Sequence, residues 1–443
     1  MNEKTPNFLA RIMKSASKIE HNELRSVLVS FLLVFCLMFA WYLLRPVRDA
    51  MASEWSDAEV SFLWNINFFI SAGVVAMYGI AVARVEFRKL VPGVYAFFGL
   101  SFVAFYIAAD SITNTVLLDK IFYVWVSVFS LFHVSVFWSF MSDLFSKEQS
   151  NRLFAFIAAG ASAGALAGPW FVTQFAESMG TDQLMLVASL VLIIPIGLVL
   201  YLERLKVLDL HNENVHADLS AAKIGGNPFA GFKMFATNPF LLAIGAFILL
   251  YTAVGSFVYF EQKNLLAFYA DTRGERAVIL AQVDLVVNIL TFLIGMFATS
   301  RIVARLGMPA TLALVPVFIV AGLIVLAFAP ILIVVLALQV ARRAGNYAIT
   351  RPAREMLFTA VDRETRFKAK PVIDIVVYRG GDAISSIAFA GLTDGLGFGL
   401  AVMAGIGAGI AAAWAAVGVY LGRMFGRLEG DKINRVDGAT QKA

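Results

Sequence analysis

Along most of this chain apolar residues follow neither the helical nor the strand period; they run on. Twelve such runs stand out, at 26–44, 60–82, 90–109, 120–142, 153–176, 183–201, 239–260, 277–299, 309–328, 331–350, 371–393 and 398–421. Each is close to the ~20 residues that a helix needs to cross a bilayer. The two-residue alternation of a transmembrane barrel is absent, which leaves the helix as the other way to satisfy a backbone in lipid. The predicted fold class is therefore all-α and polytopic, with 12 transmembrane helices in two six-helix repeats around a central cleft. Composition agrees: 60% of the 443 residues are hydrophobic and 15% are charged. The mean hydropathy of +0.77 lies far outside the range of a soluble globular protein.

The polar stretches divide the chain. Residues 1–25 are expected to form a cytoplasmic interfacial segment, with Phe8, Leu9, Ile12, Met13 and Ile19 set against Arg11, Lys14 and Lys18. No apolar core precedes the first span, so no signal peptide is expected. Residues 26–201 form a predicted N-terminal six-helix bundle, 202–238 a polar cytoplasmic linker, 239–421 a C-terminal six-helix bundle and 422–443 a cytoplasmic tail. His211 and His216 fall in the linker and read as solvent-facing. With both termini inside, the inner segments hold 29 Lys and Arg against 5 outside, counting Arg342 and Arg343 with the inner connection they border. That bias sets the predicted orientation. The net charge of +5 then reads as inner-leaflet anchoring to membrane lipids, and no nucleic-acid partner is needed.

The halves echo one another. "GIAVARVEFRKLVPG" (79–93) resembles "GMFATSRIVARLGMP" (295–309), and "DLFSKEQSNRLF" (143–154) resembles "MLFTAVDRETRFK" (356–368). Two parallel repeats joined by a long cytoplasmic loop describe the major facilitator architecture. The first segment is a degraded form of that superfamily's loop motif, without its usual Asp. Arg84, Arg88, Lys89, Arg301 and Arg305 are accordingly predicted to form an inner gate with Asp143 and Glu355. In "AAGASAGALAGP" (158–169), Gly160, Gly164 and Gly168 share one face, a spacing that lets helices approach closely in lipid.

Candidate chemistry sits in the spans, where a charge normally lines a cavity or meets another charge. Arg343, Asn346 and Tyr347 fall on one helical face, as do Asp374, Tyr378 and Asp382, with Arg379 beside them. With Asp284 and Asn288 they are the candidate cleft set. Arg45, Arg48, Asn65, Asn67 and His133 are secondary cleft candidates, and Asp284, Asp374, Asp382 and His133 are candidate proton relays. Pairing of Arg379 with Asp382 or Asp284, and of Arg48 with Asp49, would instead make these charges purely structural. Surplus guanidinium favours an anionic substrate, since arginine's fork suits phosphate or carboxylate. Cys36 stands alone, so no disulfide or cysteine-based metal site forms, and neither metal nor cofactor is called for. Phosphate-loop and His-Glu-x-x-His motifs are missing, which argues against an enzyme. A monomer is expected.

"YLLRPVRDAM" (42–51), "SVFWSFMSDLFSKEQSNRLFAFIAAGASAGALAGP" (135–169), "RRAGNYAITRPAREMLFT" (342–359) and "KAKPVIDIVVYRGGDA" (368–383) resemble the bacterial branch of the ATP/ADP translocase family. Its members, the NTP/NDP exchange transporters, form a divergent arm of the major facilitator superfamily. The resemblance implies a secondary carrier in the inner membrane that works by alternating access, with nucleotide exchange as the family default. The best-known members rely on intramembrane lysines and glutamates. Here the predicted spans hold almost no lysine, and Glu261 is the nearest thing to a membrane glutamate, so no coupling residue carries over. A proton-coupled carrier of another anionic metabolite or amphiphile (a siderophore, peptidoglycan fragment or lysophospholipid) is the second reading. A sensor or assembly subunit on the carrier fold is the third. A single cysteine at Val215 in a Cys36→Ser background is expected to react with an impermeant maleimide only from the cytoplasmic side. Labelling from outside would invert the topology.

Overall fold

The computed structural model describes residues 19–440 apart from 86, 113–114, 211–229, 363–364, 366–367 and 371. The predicted interfacial segment and both linker histidines therefore lie mostly or wholly outside the described residues. Helix α1 is Leu24–Ala52, α2 Asp57–Arg84, α3 Phe87–Ser111, α4 Thr115–Leu144, α5 Lys147–Met179 and α6 Thr181–Leu208. A short α7, Ala230–Thr237, leads into α8 Pro239–Tyr269, α9 Arg273–Phe297, α10 Thr299–Phe328 and α11 Leu332–Gly345. After α12 (Arg351–Leu357) come α13, Tyr378–Ala390, and α14, Leu400–Thr440. All twelve expected runs fall on helical backbone, and among the described residues ten helices are long and apolar enough to cross a membrane. The run 371–393 is less regular, since π-helical segments Val372–Val377 and Gly391–Gly395 flank α13.

Helix starts are chemically marked. Ser146 and Gln149 form a reciprocal capping box at α5, and Asn238 caps α8 with Pro239 in the first turn. The starts of α2 and α9 match each other: Ser56 with Glu59, and Thr272 with Glu275, each exchange a side chain for a backbone N–H. Gly180 at φ +84 turns the chain between α5 and α6, a conformation that a side chain rarely tolerates.

The contacts gather into two compact units. One comprises Met1–Met51, Phe69–Ile224 and Thr272–Leu285; the other comprises Ala52–Phe68, Gly225–Asp271 and Val286–Ala443. Helix α2 thus begins in the second unit, and α9 begins in the first. In the first unit α3 packs along α6 and α5 along α1. The absent side chains of Gly160 and Gly164 leave room for the Phe31 and Phe35 carbonyls, and that of Gly168 for Tyr42. Phe98, Phe102, Phe122 and Phe129 form a continuous edge-to-face and tilted ring cluster. In the second unit Trp414 of α14 is fully buried, with its ring 5.5 Å from both Phe247 and Tyr251 of α8. Those rings anchor the helix that carries much of the site chemistry. A Cβ at Gly164 would collide with backbone rather than with a movable side chain. Gly164→Ala is therefore expected to destabilise the first unit by about 1–3 kcal/mol, read as a lower melting temperature. Gly73→Ala, which meets nothing, should melt as wild type.

Candidate functional site

Lipid-grade helices carry arginines in both units, and each unit handles them differently. In the first, Arg48 on α1 donates from Nε and Nη2 to Asp49 Oδ1 at 3.0 and 2.7 Å, and from Nη1 to Ser127 Oγ at 3.2 Å. Its guanidinium lies 5.7 Å from the Trp41 ring and 5.3 Å from the Tyr123 ring. Arg45, one turn back, places Nη1 3.3 Å from Asp284 of α9 and Nε 3.8 Å from Asp49. Two arginines thus answer two aspartates. His133 is buried, stacks on Trp41 at 5.1 Å and sets Nδ1 3.3 Å from the Phe129 carbonyl, so it packs as an aromatic ring.

In the second unit Arg342 is met by neutral groups. Arg342 on α11 donates from Nε and Nη2 to the neutral Gln339 Oε1 at 3.0 and 2.8 Å. Its Nη1 lies 3.5 Å from the Tyr251 hydroxyl, with the guanidinium 5.8 Å from that ring. Gly255 makes this possible, because a Cβ there would sit 3.0 Å from Arg342 Nη1. Tyr251 also hydrogen-bonds Tyr378 of α13, their rings 6.1 Å apart. Arg343 and Asn346 are buried beside this group. Arg379 is partly exposed and only 4.0 Å from Asp382 at its nearest atoms. The charged residues of α11 and α13 are thus Arg342, Arg343, Arg379 and Asp382, three cations to one acid.

The helical faces read from sequence are altered by π turns. A π turn spans Asn346–Thr350, closed by the Arg351 N–H donating to the Asn346 carbonyl. It widens the helix just where the i, i+3, i+4 spacing was assumed. Asn346 is buried, whereas Tyr347 is 39% exposed. The Val372–Val377 π segment likewise separates Asp374 from Tyr378 and Asp382. Asp374 goes to Arg354 at 3.3 Å, near Glu355, which Lys370 also meets. Asn65 donates to the Ser61 carbonyl at 2.8 Å, Asn67 and Asn288 are half-buried, and Asn288 belongs to the second unit although Asp284 belongs to the first.

Among the described residues, the acids of the predicted gate have the following partners. Asp143 takes Lys206 of α6 at 2.7 Å, because the two helix ends adjoin. Glu355 takes Lys370 and Arg354, its near neighbours. Lys89, Arg301 and Arg305 are exposed, and the side chains of Arg84 and Arg88 lie outside the described residues.

Sequence reading missed Tyr251 and Gln339, which look like ordinary span residues until Arg342 is placed against them. It also missed the buried pair Lys263–Asp57 at 2.7 Å, by ending the span at 260 when α8 runs to Tyr269.

A multi-pass, all-helical membrane protein with charges buried in its spans is of the transporter class. The model of the Major Facilitator Superfamily matches residues 30–353, and the chain belongs to that superfamily. It is similar to ADP,ATP carrier protein 1 of Chlamydia pneumoniae, at 20% identity over 84% of this chain and 85% of that one. It is also similar to ADP,ATP carrier protein 4 of Rickettsia felis, at 25% identity over 81% and 82%. Among solved structures the nucleoside transporter NupG shares the fold, with a TM-score of 0.62 at 14% identity, covering 92% of this chain and 99% of that one. The relatives are carriers, and this chain is a transporter rather than an enzyme.

Breaking a buried ion pair strands its partner. Arg45→Ala should destabilise the protein by roughly 3–5 kcal/mol, and the double variant Arg45→Ala with Asp284→Ala should recover part of that loss. Additive losses in a thermal double-mutant cycle would mean that the pair is not coupled.

Proposed function

We propose that the chain is a bacterial inner-membrane secondary carrier for an organic anion, with nucleotides as the favoured substrate class. The observation that carries this reading is the arginine group of the second unit, where Gln339 and Tyr251 rather than an acid meet Arg342. Such a group attracts phosphate or carboxylate, and arginine binds either through paired donors. Curated relatives named ADP,ATP carriers make the nucleoside phosphates the first chemistry to test. Tyr251 and Tyr378 beside the arginine group offer faces on which a base could lie. In this reading both termini are cytoplasmic, each six-span half contributes one side of an alternating-access cycle, and the chain acts as a monomer.

Arg343 and Arg379 bind the anion, with Asn346 and Tyr378 donating hydrogen bonds, while Arg342 holds Tyr251 and Gln339 in place. Proteoliposomes loaded with ADP test the substrate class through uptake of labelled ATP. In that assay Arg343→Gln and Arg379→Gln should each weaken apparent affinity about ten- to a hundredfold, the worth of one charge-assisted contact at ~1.5–3 kcal/mol. Both variants should melt as folded protein. Full activity in both would make the two arginines structural. Absence of any transport, with a panel of sugar phosphates and amphiphiles also inactive, would favour a sensor on the carrier fold.

A further inference from the structure

Each relay candidate named from sequence is already engaged. Asp284 faces Arg45, Asp374 faces Arg354, Asp382 lies next to Arg379, and His133 is stacked between rings. One acid is in a different position. Glu261 on α8 is 0% exposed, and neither carboxyl oxygen has a hydrogen-bond partner. An ionised carboxylate in that setting loses its hydration and gains nothing in return, which is the costliest way to bury a charge. The form this environment accepts is the neutral one, with a proton on the carboxyl.

The surroundings supply a reason for the proton to leave. Lys263, two residues on, is also buried, donates to the Trp55 carbonyl at 2.7 Å and sits 2.7 Å from Asp57 at the start of α2. Asn264 donates to the other Asp57 oxygen at 3.1 Å. Asp57 is the charged group whose field reaches Glu261 from another helix. Around this part of α8, Phe389 of α13 packs against Phe257 and Phe260, Trp64 of α2 packs against Tyr259 and Phe260, and Ser256 meets Ser385 of α13 at 2.7 Å. While Asp57 occupies Lys263, Glu261 has no cation to meet. If Asp57 withdraws, its negative charge leaves the neighbourhood of Glu261 and the carboxyl can ionise.

We propose that Glu261 is the proton-carrying site of this transporter, loaded while Asp57 and Lys263 are paired and discharged when that pair opens. The proposal rests on the carrier reading above and adds a coupling ion to it. The proton moves between the Glu261 carboxyl and water, and no other reactant is required. A carrier built this way moves its anion with a proton gradient rather than by exchange alone.

Two readouts test it, and only one depends on substrate. Infrared spectra of the reconstituted full chain at neutral pH should show a protonated-carboxyl carbonyl band that is lost in Glu261→Gln. Because glutamine imitates the neutral carboxyl, that variant should fold and melt like wild type. Should it fail to fold, Glu261→Asp must shift the band. In proteoliposomes, an imposed pH gradient should drive accumulation of labelled ADP by wild type. Glu261→Gln should lose that accumulation yet keep ADP–ADP counterflow, which needs no net proton movement. An unchanged carbonyl band in the variant, or accumulation that follows a sodium gradient instead, would overturn the proposal. If wild type moves no ADP at all, the nucleotide reading fails, and the infrared band alone decides the proton site.

Discussion

A charge inside a bilayer needs an answering group, and that requirement organises both units of this protein. Water is not there to supply it, so every buried arginine, lysine or acid has to find a partner on a neighbouring helix or remain neutral. The first unit meets the demand with opposite charges: Arg45 and Arg48 with Asp49 and Asp284. The second meets it with dipoles and a ring around Arg342 and with the ion pair of Lys263 and Asp57. Helix packing, the small residues at close approaches and the placement of α8 all serve to bring those groups within reach. An ion pair also fixes which helix ends stay together, so the same contacts that permit burial limit the conformations available.

The fold was legible because it follows from a solvent constraint that every span reports on. The apolar runs need only composition and spacing to read. The site was legible in kind but not in geometry. Arg342, Arg343, Arg379 and Asp284 were identifiable as charges in the wrong medium, and the near pair Arg379–Asp382 could be named, yet the distant partners could not. Asp284 goes to Arg45, more than two hundred positions away, and no local pattern encodes that choice. Faces drawn at 3.6 residues per turn take no account of the π turns at Asn346–Thr350 and Val372–Val377, on which Tyr347 and Asp374 lie. Such turns have no strong sequence signature. Lys263 and Asp57 were missed for a simpler reason: the apolar run ends before the helix does.

The π turns also bear on how the arginine helix could work. A widened turn leaves the backbone hydrogen-bonding pattern one residue out of step, a feature found often at functional sites. Here it lies directly after Arg343, in the stretch where a rigid helix would hold the side chain in a single direction. Arg342 and Arg343 therefore sit at the end of a regular helix and the start of an irregular one, with Gly345 between them and the turn.

The paired capping boxes at Ser56 and Thr272 lie 216 positions apart, the same offset that relates Gly79 to Gly295. That offset sets Asp57 against Arg273 as the first residues of matching helices. One is an acid held by Lys263, the other a base held by Asp119 at 2.6 Å. It also carries Lys263 onto Val47. A tandem of two first halves would therefore set a valine where Asp57 now meets Lys263. Whatever duplication event produced the two halves, they have since become complementary rather than equivalent, like a plug and a socket cut from one mould. Gene fusions that double either half should yield chains that insert and then fail to assemble.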